Sequence, residues 1–446
     1  MPLNQRLLRR SLRSASFTSR NDNVFMKICL INNLYQPYNR GGAEKVCETI
    51  VAGLKHAGHE VFIITTKPRK QLSITNYQLP PSAKASGDKR IYYLNSLYFN
   101  LNKLPKFFRF FWQIWNMFNF VGYFKIKKIL QAEKCDVVIA NNLMGVGFLT
   151  PLAIRSLKIR HLHIVHDIQL IHPSGLMYYG QEGIIDGFFA KIYMSMCRWL
   201  FGSPRVVIFP SAWLKELYIK RNFFAQSKIK VLPNPVDAIK AVISTPASES
   251  VEKSLKGENK MYKGFLPLVK PGVEMTKNRA FTFLFLGQIE KHKGVFLLID
   301  AFNKIKEKYP EVELLLAGDG SRLEASRKKA AENNNIKFLG WPGEEAADKL
   351  LFKSDCLVYP SLVYENCPNA IQRALVAEIP VLASDLGGMP ELVNKNAGLL
   401  FKPANMNDLA EKMAWLIENK NNLRTPAKID FGVESYIKEL EKMVKL

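Results

Sequence analysis

The stretch CLVYPS, Cys356 to Ser361, followed by YENCPNAIQRAL, Tyr364 to Leu375, and PVLASDLGGMPELV, Pro380 to Val393, decides the fold. CLVYPS is a short, continuous apolar run of strand type. A loop with one acid, Glu365, follows, and Pro368 opens a helix whose first N–H groups lack intrahelical partners. The run PVLAS then returns as another strand. A helix N-terminus placed after a strand end in this way is a seat for a phosphate-bearing ligand.

Outward from that unit the same grammar fills two halves. The first half contains KICLINN (27–33), EVFIITT (60–66), DVVIA (136–140), HLHIV (161–165), RVVIFPS (205–211) and KIKVLP (228–233). The second contains FTFLFLG (281–287), VELLLAG (312–318) and IKFLG (336–340) before the stretch quoted above. Continuous apolar runs of this length fit parallel strands covered on both faces. Between the first two, Val46, Ile50, Leu54 and Ala57 recur at three- and four-residue intervals, which predicts a helix with one apolar stripe. The expected fold class is therefore α/β, with two Rossmann-like doubly wound domains and a ligand between them at the carboxyl ends of the strands. The expected organisation is a basic extension over 1–25, a first domain over 26–235, a polar linker over 236–280, a second domain over 281–428 and a closing helix over 429–446.

Composition bounds the function. With 446 residues, 48% of them hydrophobic, two core-bearing domains are expected. The 63 Lys and Arg against 39 acids give +24, which favours phosphates, nucleic acid or an anionic membrane surface. The cations are spread along the chain and no nucleic-acid motif accompanies them, so nucleic acid is not an expected partner. Six cysteines without a CxxC pair read as buried small hydrophobes in a reducing, cytoplasmic setting. The acid-poor start, with Arg6, Arg9, Arg10, Arg13 and Arg20, lacks a secretory h-region; a basic arm, a transit peptide and an upstream start codon all stay open.

No apolar run reaches the length of a spanning helix, about 18 residues or more. The nearest candidate, FFRFFWQIWNMFNFVGYFKIKK from Phe107 to Lys128, reads as one helix with lysine flanks. Two readings stand: rings seated at headgroup depth with lysines on anionic lipid, peripheral at the membrane inner face, or a helix packed on its own domain.

Loops at the strand ends carry the chemistry. Gly41 and Gly42 let a ligand approach helix N–H groups closely. An NAD site wants an acid near the end of the second strand, and Thr65-Thr66-Lys67 stands there, which disfavours a dehydrogenase. Lys291 and Lys293 in GQIEKHKG follow a strand end, where a lysine can act as a point charge on a leaving pyrophosphate, with a solvated face as the other reading. Alternation puts His161 and His163 on one strand face and His166 at the strand end, an awkward zinc trio, so no metal is expected. His166, followed by Asp167, is the active-site candidate among the histidines, with a structural histidine as the other reading.

The ordered series GGAE, VHD, NPVD, GQIEKHKG, LLLAGDG, YENCPNAI and LASDLGGMPELV resembles the family 4 retaining glycosyltransferases of GT-B architecture, from Met26 almost to the C-terminus. The resemblance implies two Rossmann-like domains facing across a cleft, with a nucleotide-diphospho-sugar donor, UDP- or GDP-linked, on the second. It implies a glycan or lipid-linked acceptor on the first, in cell-surface polysaccharide or glycolipid biosynthesis, without metal or other cofactor. His166 and Glu365 would be the catalytic pair, touching the donor sugar. Gly41, Gly42, Gln288, Lys293, Asn366, Cys367, Asn369, Ala370 and Arg373 would line the donor site, with Lys293 on the pyrophosphate and the N–H groups of Asn369 and Ala370 near phosphate.

Three positions depart from that pattern. Arg373 stands where the family places a second Glu for the ribose, Glu378 where it commonly has Gly, and Gln288 where an Arg often assists Lys293. Arg donates hydrogen bonds but accepts none. Two hypotheses follow: Arg373 donates to ribose oxygens or a phosphate, or the chain is a catalytically weakened homologue that binds sugar nucleotides or glycans.

Overall fold

The computed structural model describes residues 25–38, 41–68, 90–103, 105–237, 280–393, 398–420 and 430–445. The basic arm over 1–24 and the polar stretch over 238–279 lie outside the described residues.

Two parallel sheets form the frame. The first has β1 (Lys27–Ile31), β2 (Glu60–Pro68), β3 (Ile91–Ser96), β4 (Val137–Ala140), β5 (Arg160–Ile164), β6 (Val206–Phe209) and β7 (Lys228–Val231), ordered β3-β2-β1-β4-β5-β6-β7. The second has β8 (Thr282–Leu286), β9 (Glu313–Ala317), β10 (Ile336–Gly340), β11 (Cys356–Tyr359), β12 (Val381–Ser384) and β13 (Gly398–Phe401), ordered β10-β9-β8-β11-β12-β13. Successive β1 residues alternate between two apolar layers: Cys29 and Ile31 face one, Ile28 and Leu30 the other. Fully burying such side chains contributes about 1.5–3 kcal/mol each, which is why these runs carry no polar face. Strand order reverses beside β1 and β4 in one sheet and beside β8 and β11 in the other. A crevice opens at each reversal, outside the carboxyl ends of the strands.

Two strands, β3 and β13, are absent from the sequence reading. Both are edge strands in which three residues of six or of four are only half-buried, and their apolar runs, IYYL and LLF, are short. The helix Gly42–His56 buries Val46, Ile50 and Leu54 as its stripe requires. The last helix, Val433–Lys445, lies back against it: a Cβ added to Gly53 would come within 2.6 Å of the Val433 side chain. His59 Nε2 meets Glu441 Oε1 at 2.9 Å, and Arg160 donates to the Val444 carbonyl at 3.0 Å, tying the chain's end to the first sheet.

The aromatic stretch is not one helix. It divides into helices Lys106–Met117 and Phe120–Glu133, because the Asn119 side chain accepts from the Gly122 N–H at 2.8 Å and donates to the Val146 carbonyl at 3.2 Å. Trp112, Met117, Ile126 and Leu130 are buried in the core, while Phe107, Trp115 and Phe124 remain exposed. Among the described residues no helix is long and apolar enough to cross a membrane. All six cysteines are free and buried.

His161 and His163 share the buried face of β5, with ring centroids 6.1 Å apart. Burial, followed by the charge of a neighbouring histidine, pushes His163 down to about 3 and His161 well below its usual value. With folded values depressed, the unfolded chain takes up these protons first, so stability is full above pH 6.5 and is lost as pH falls. Two such protons predict a loss of up to about 2.7 kcal/mol per pH unit between roughly pH 6 and 4. Urea midpoints across that window check it; a flat profile would contradict neutral burial of the pair.

Candidate functional site

The second sheet supplies a charged pair at its reversal point. After β8 the chain makes a single turn, Lys291–Lys293, and bends at Gly294 with φ +74. A Cβ there would fall 1.8 Å from the Pro360 carbonyl oxygen, so only glycine lets this loop rest on the end of β11. Lys293 Nζ consequently lies 2.6 Å from Glu365 Oε1 and 3.2 Å from the Tyr359 hydroxyl. Ser361 Oγ donates to the same carboxylate oxygen at 3.2 Å. Burial works against the Lys293 charge, but Glu365 and Tyr359 outweigh it and hold the ammonium above its usual range. Burial and Glu365 push the Tyr359 phenol up to about 12, so it stays a neutral donor and acceptor.

The loop carrying Glu365 is pressed onto the LGGMPE turn. The Gly388 N–H donates to the Glu365 carbonyl at 2.8 Å, and a Cβ on Gly388 would sit 2.0 Å from the Asn366 carbonyl oxygen. The helix Asn369–Val376 then starts at Pro368 without a side-chain cap, and the helix Gly42–His56 starts at Gly41 equally bare. The two starts meet: Asn369 Nδ2 donates to the Gly42 carbonyl at 3.1 Å. Uncapped N–H groups and two macrodipole ends thus gather within one loop of Lys293.

The first sheet adds His166, just beyond β5. Its Nε2 meets Asn141 Oδ1 at 2.9 Å, while Asn141 Nδ2 points to the Ile31 carbonyl. Nε2 therefore carries the proton and Nδ1 is left as an acceptor. Burial pushes His166 down to about 4, so the ring is neutral at physiological pH. The His166 carbonyl accepts from Asn366 Nδ2 at 3.3 Å, which brings it to the loop of Glu365. Burial raises Asp167 to about 6 against the stabilising N–H of Gln169.

Several residues at the cleft escape sequence reading. Ser211 Oγ donates to Asn366 Oδ1, and Trp213 stacks on Tyr364 with centroids 5.5 Å apart. Glu391 accepts from the Ala212 and Trp213 N–H groups at 2.7 and 2.6 Å, capping the helix Ala212–Ile219 from the other lobe. Asn234 donates to the Cys367 carbonyl and accepts from Gln372, gripping the helix that follows Glu365. NPVD and LGGMPEL mark these loops in the sequence, but partners up to 179 residues away leave no local spacing to read.

Other site candidates are placed as follows. The Cys367 thiol is buried and pushed up to about 12 by that burial, so the residue acts through its backbone. Ala370 is half-buried on the first turn, and Gln288 is exposed in the loop after β8. The Arg373 guanidinium pairs with Asp348, a buried acid on the helix Glu344–Lys353. Glu378 sits at φ +58, a left-handed conformation that explains the glycine of the family pattern.

A family model for glycosyl transferases group 1 matches residues 272–429, and one for Glycosyltransferase Family 4 matches residues 40–239. An uncharacterized 42.6 kDa protein in the cps region of Klebsiella pneumoniae is 23% identical over 93% of this chain and 99% of its own. The Bacillus subtilis glycosyltransferase TuaC, named for teichuronic acid biosynthesis, is 28% identical over 54% of both chains. The crystal structure of Anabaena Alr3699/HepE in complex with UDP superposes with TM-score 0.64 at 18% identity, over 94% of this chain and 100% of that one.

Replacing Arg373 by Glu sets two acids against each other in a pocket that is nearly closed to solvent. The Arg373→Glu variant should lose about 3–5 kcal/mol, and the double variant with Asp348→Arg should recover most of it. Thermal melting of parent, single and double variants checks this; a single variant as stable as the parent contradicts the pairing.

Proposed function

This chain belongs to the family 4 glycosyltransferases of GT-B fold, and from that membership we propose that it moves a sugar, with retention, from a UDP- or GDP-linked donor to a glycan or lipid-linked acceptor. The observation that carries the reading is the Lys293–Glu365 pair, 2.6 Å apart, beside two bare helix starts. A donor diphosphate can take Glu365's place on Lys293 and accept from the N–H groups of Asn369 and Ala370. The released carboxylate can then accept from sugar hydroxyls, and Nδ1 of neutral His166 can accept another. The UDP in the Anabaena structure supports a uridine donor, and the names of the Klebsiella and Bacillus relatives support cell-surface polysaccharide.

In the proposed step the bond from the anomeric carbon to the phosphate oxygen breaks. The acceptor oxygen bonds to that carbon on the same face, and its proton passes to the departing phosphate. The protein's share is positioning and charge stabilisation. Lys293 and the helix starts supply that positive charge, so the reading requires no metal ion. A lipid-linked acceptor would place the enzyme at the inner face of a membrane.

A second reading, a homologue that binds sugar nucleotides or glycans without turnover, draws on Arg373, which is committed to Asp348 and leaves no carboxylate at that position for the ribose. One panel separates the two. Among UDP- and GDP-sugars at about 100 times Kd, one should stabilise the fold by about 2.7 kcal/mol, read as a raised melting temperature. The same donor should be consumed with acceptor, and Lys293→Ala should lower that rate about 10²- to 10³-fold. Binding without consumption favours the second reading; a panel in which nothing stabilises the protein contradicts both.

A further inference from the structure

We propose that the outer surface of the helices Lys106–Met117, Phe120–Glu133 and Phe188–Phe201 is one docking face for an anionic lipid bilayer. The sequence pointed only to the stretch from Phe107; the structure adds the third helix and joins it to the first two. All three send residues into the same apolar layer: Trp112 and Met117, Ile126 and Leu130, and Tyr193, Cys197 and Leu200. The short helix Thr150–Ser156 bridges them, packing on Phe120–Glu133 at one side and on Phe188–Phe201 at the other. The rings left over lie outside that layer. Phe107, Phe111, Trp115 and Phe124 are between 51% and 67% exposed, and Phe188 and Phe189 are 73% and 82% exposed.

Charge selects the occupant. From Arg90 to Ala132 the chain contains no acid, and Arg109, Lys125, Lys127 and Lys128 lie among the rings. From Gly187 to Lys215 it again contains none, and Lys191 is exposed beside Phe188 and Phe189. A second copy of this chain would bring cations against cations. A bilayer with anionic headgroups takes both features together, rings at headgroup depth and ammonium groups on lipid phosphates.

The face also reaches the cleft. Glu182, six positions before Phe188, accepts from the Tyr364 hydroxyl at 2.8 Å, and Tyr364 adjoins Glu365. Docked this way, the protein holds its cleft rim at the bilayer, within reach of an acceptor whose lipid stays in the membrane. That last consequence rests on the glycosyltransfer reading; the docking itself does not.

Co-sedimentation of the full chain with vesicles of phosphatidylcholine, with and without phosphatidylglycerol, tests the face. The parent should bind the anionic vesicles at least about tenfold better than the neutral ones. Two double variants, Phe188→Ser with Phe189→Ser and Phe107→Ser with Phe111→Ser, should each lose about tenfold or more of that binding. Because these rings are exposed, melting temperature and nucleotide binding should stay at parental values. Binding to neither vesicle overturns the proposal, and so does unchanged binding by both variants, which would assign the affinity to other cations. A parental dimer split by the ring substitutions would assign the face to a second copy instead. Loss of nucleotide binding in the parent would sink the glycosyltransfer reading and leave the docking result standing.

Discussion

A lysine ammonium and a glutamate carboxylate, Lys293 and Glu365, meet at 2.6 Å where the second sheet reverses its strand order, each less than one-fifth exposed. Removing two charges from water costs several kcal/mol per ion, and their attraction offsets this only when geometry and further hydrogen bonds are good. Tyr359 and Ser361 supply those bonds from the end of β11. The fold thus keeps a desolvated cation in place through an acid on the neighbouring loop. Under the proposed function the diphosphate takes over Lys293, a cation the fold has already desolvated.

The rest of the frame can be understood as what that pair demands. Lys293 follows β8 and Glu365 follows β11, neighbouring strands, so both loops rise at one crevice. Gly294 lets the first loop lie on the strand end, and Gly388 lets the second lie on the LGGMPE turn. The facing lobe holds that turn through Glu391 and the Glu365 loop through Ser211 and His166. The last helix, lying across the first sheet's helices, ties the chain's end to that lobe. Among the described residues, contacts between the lobes are mainly hydrogen bonds to loop backbone, with the Lys45–Glu344 ion pair and the stack of Trp213 on Tyr364 beside them.

Much of the fold was legible because central parallel strands are buried on both faces and therefore read as unbroken apolar runs. Two of the four edge strands escape that logic: β3 exposes part of Tyr92 and Tyr93, and β13 part of Leu399 and Leu400. Asn119, embedded among aromatic residues, divides a stretch that aromatic bulk and lysine flanks present as one helix. For the site, position was legible, since His166, Lys293 and Glu365 each follow a strand end. Partnership was not. Asn141 lies 25 residues from His166, Asp348 lies 25 from Arg373, and Glu391 lies 179 from Ala212, so only the folded chain shows which dipole fixes the imidazole and which acid absorbs the guanidinium. The exposed rings on Phe188–Phe201 were likewise illegible, because a helix in a run of apolar residues does not announce which face it hides.

The central claim is that Glu365 occupies the place on Lys293 that a diphosphate takes. Calorimetric titration of UDP and GDP into the parent and the Glu365→Gln variant tests it most directly, because neither ligand carries the sugar that Glu365 would hold. With the competing carboxylate gone, the nucleotide that binds should do so about tenfold more tightly, a gain of about 1.4 kcal/mol. Unchanged or weaker binding by the variant would contradict the exchange.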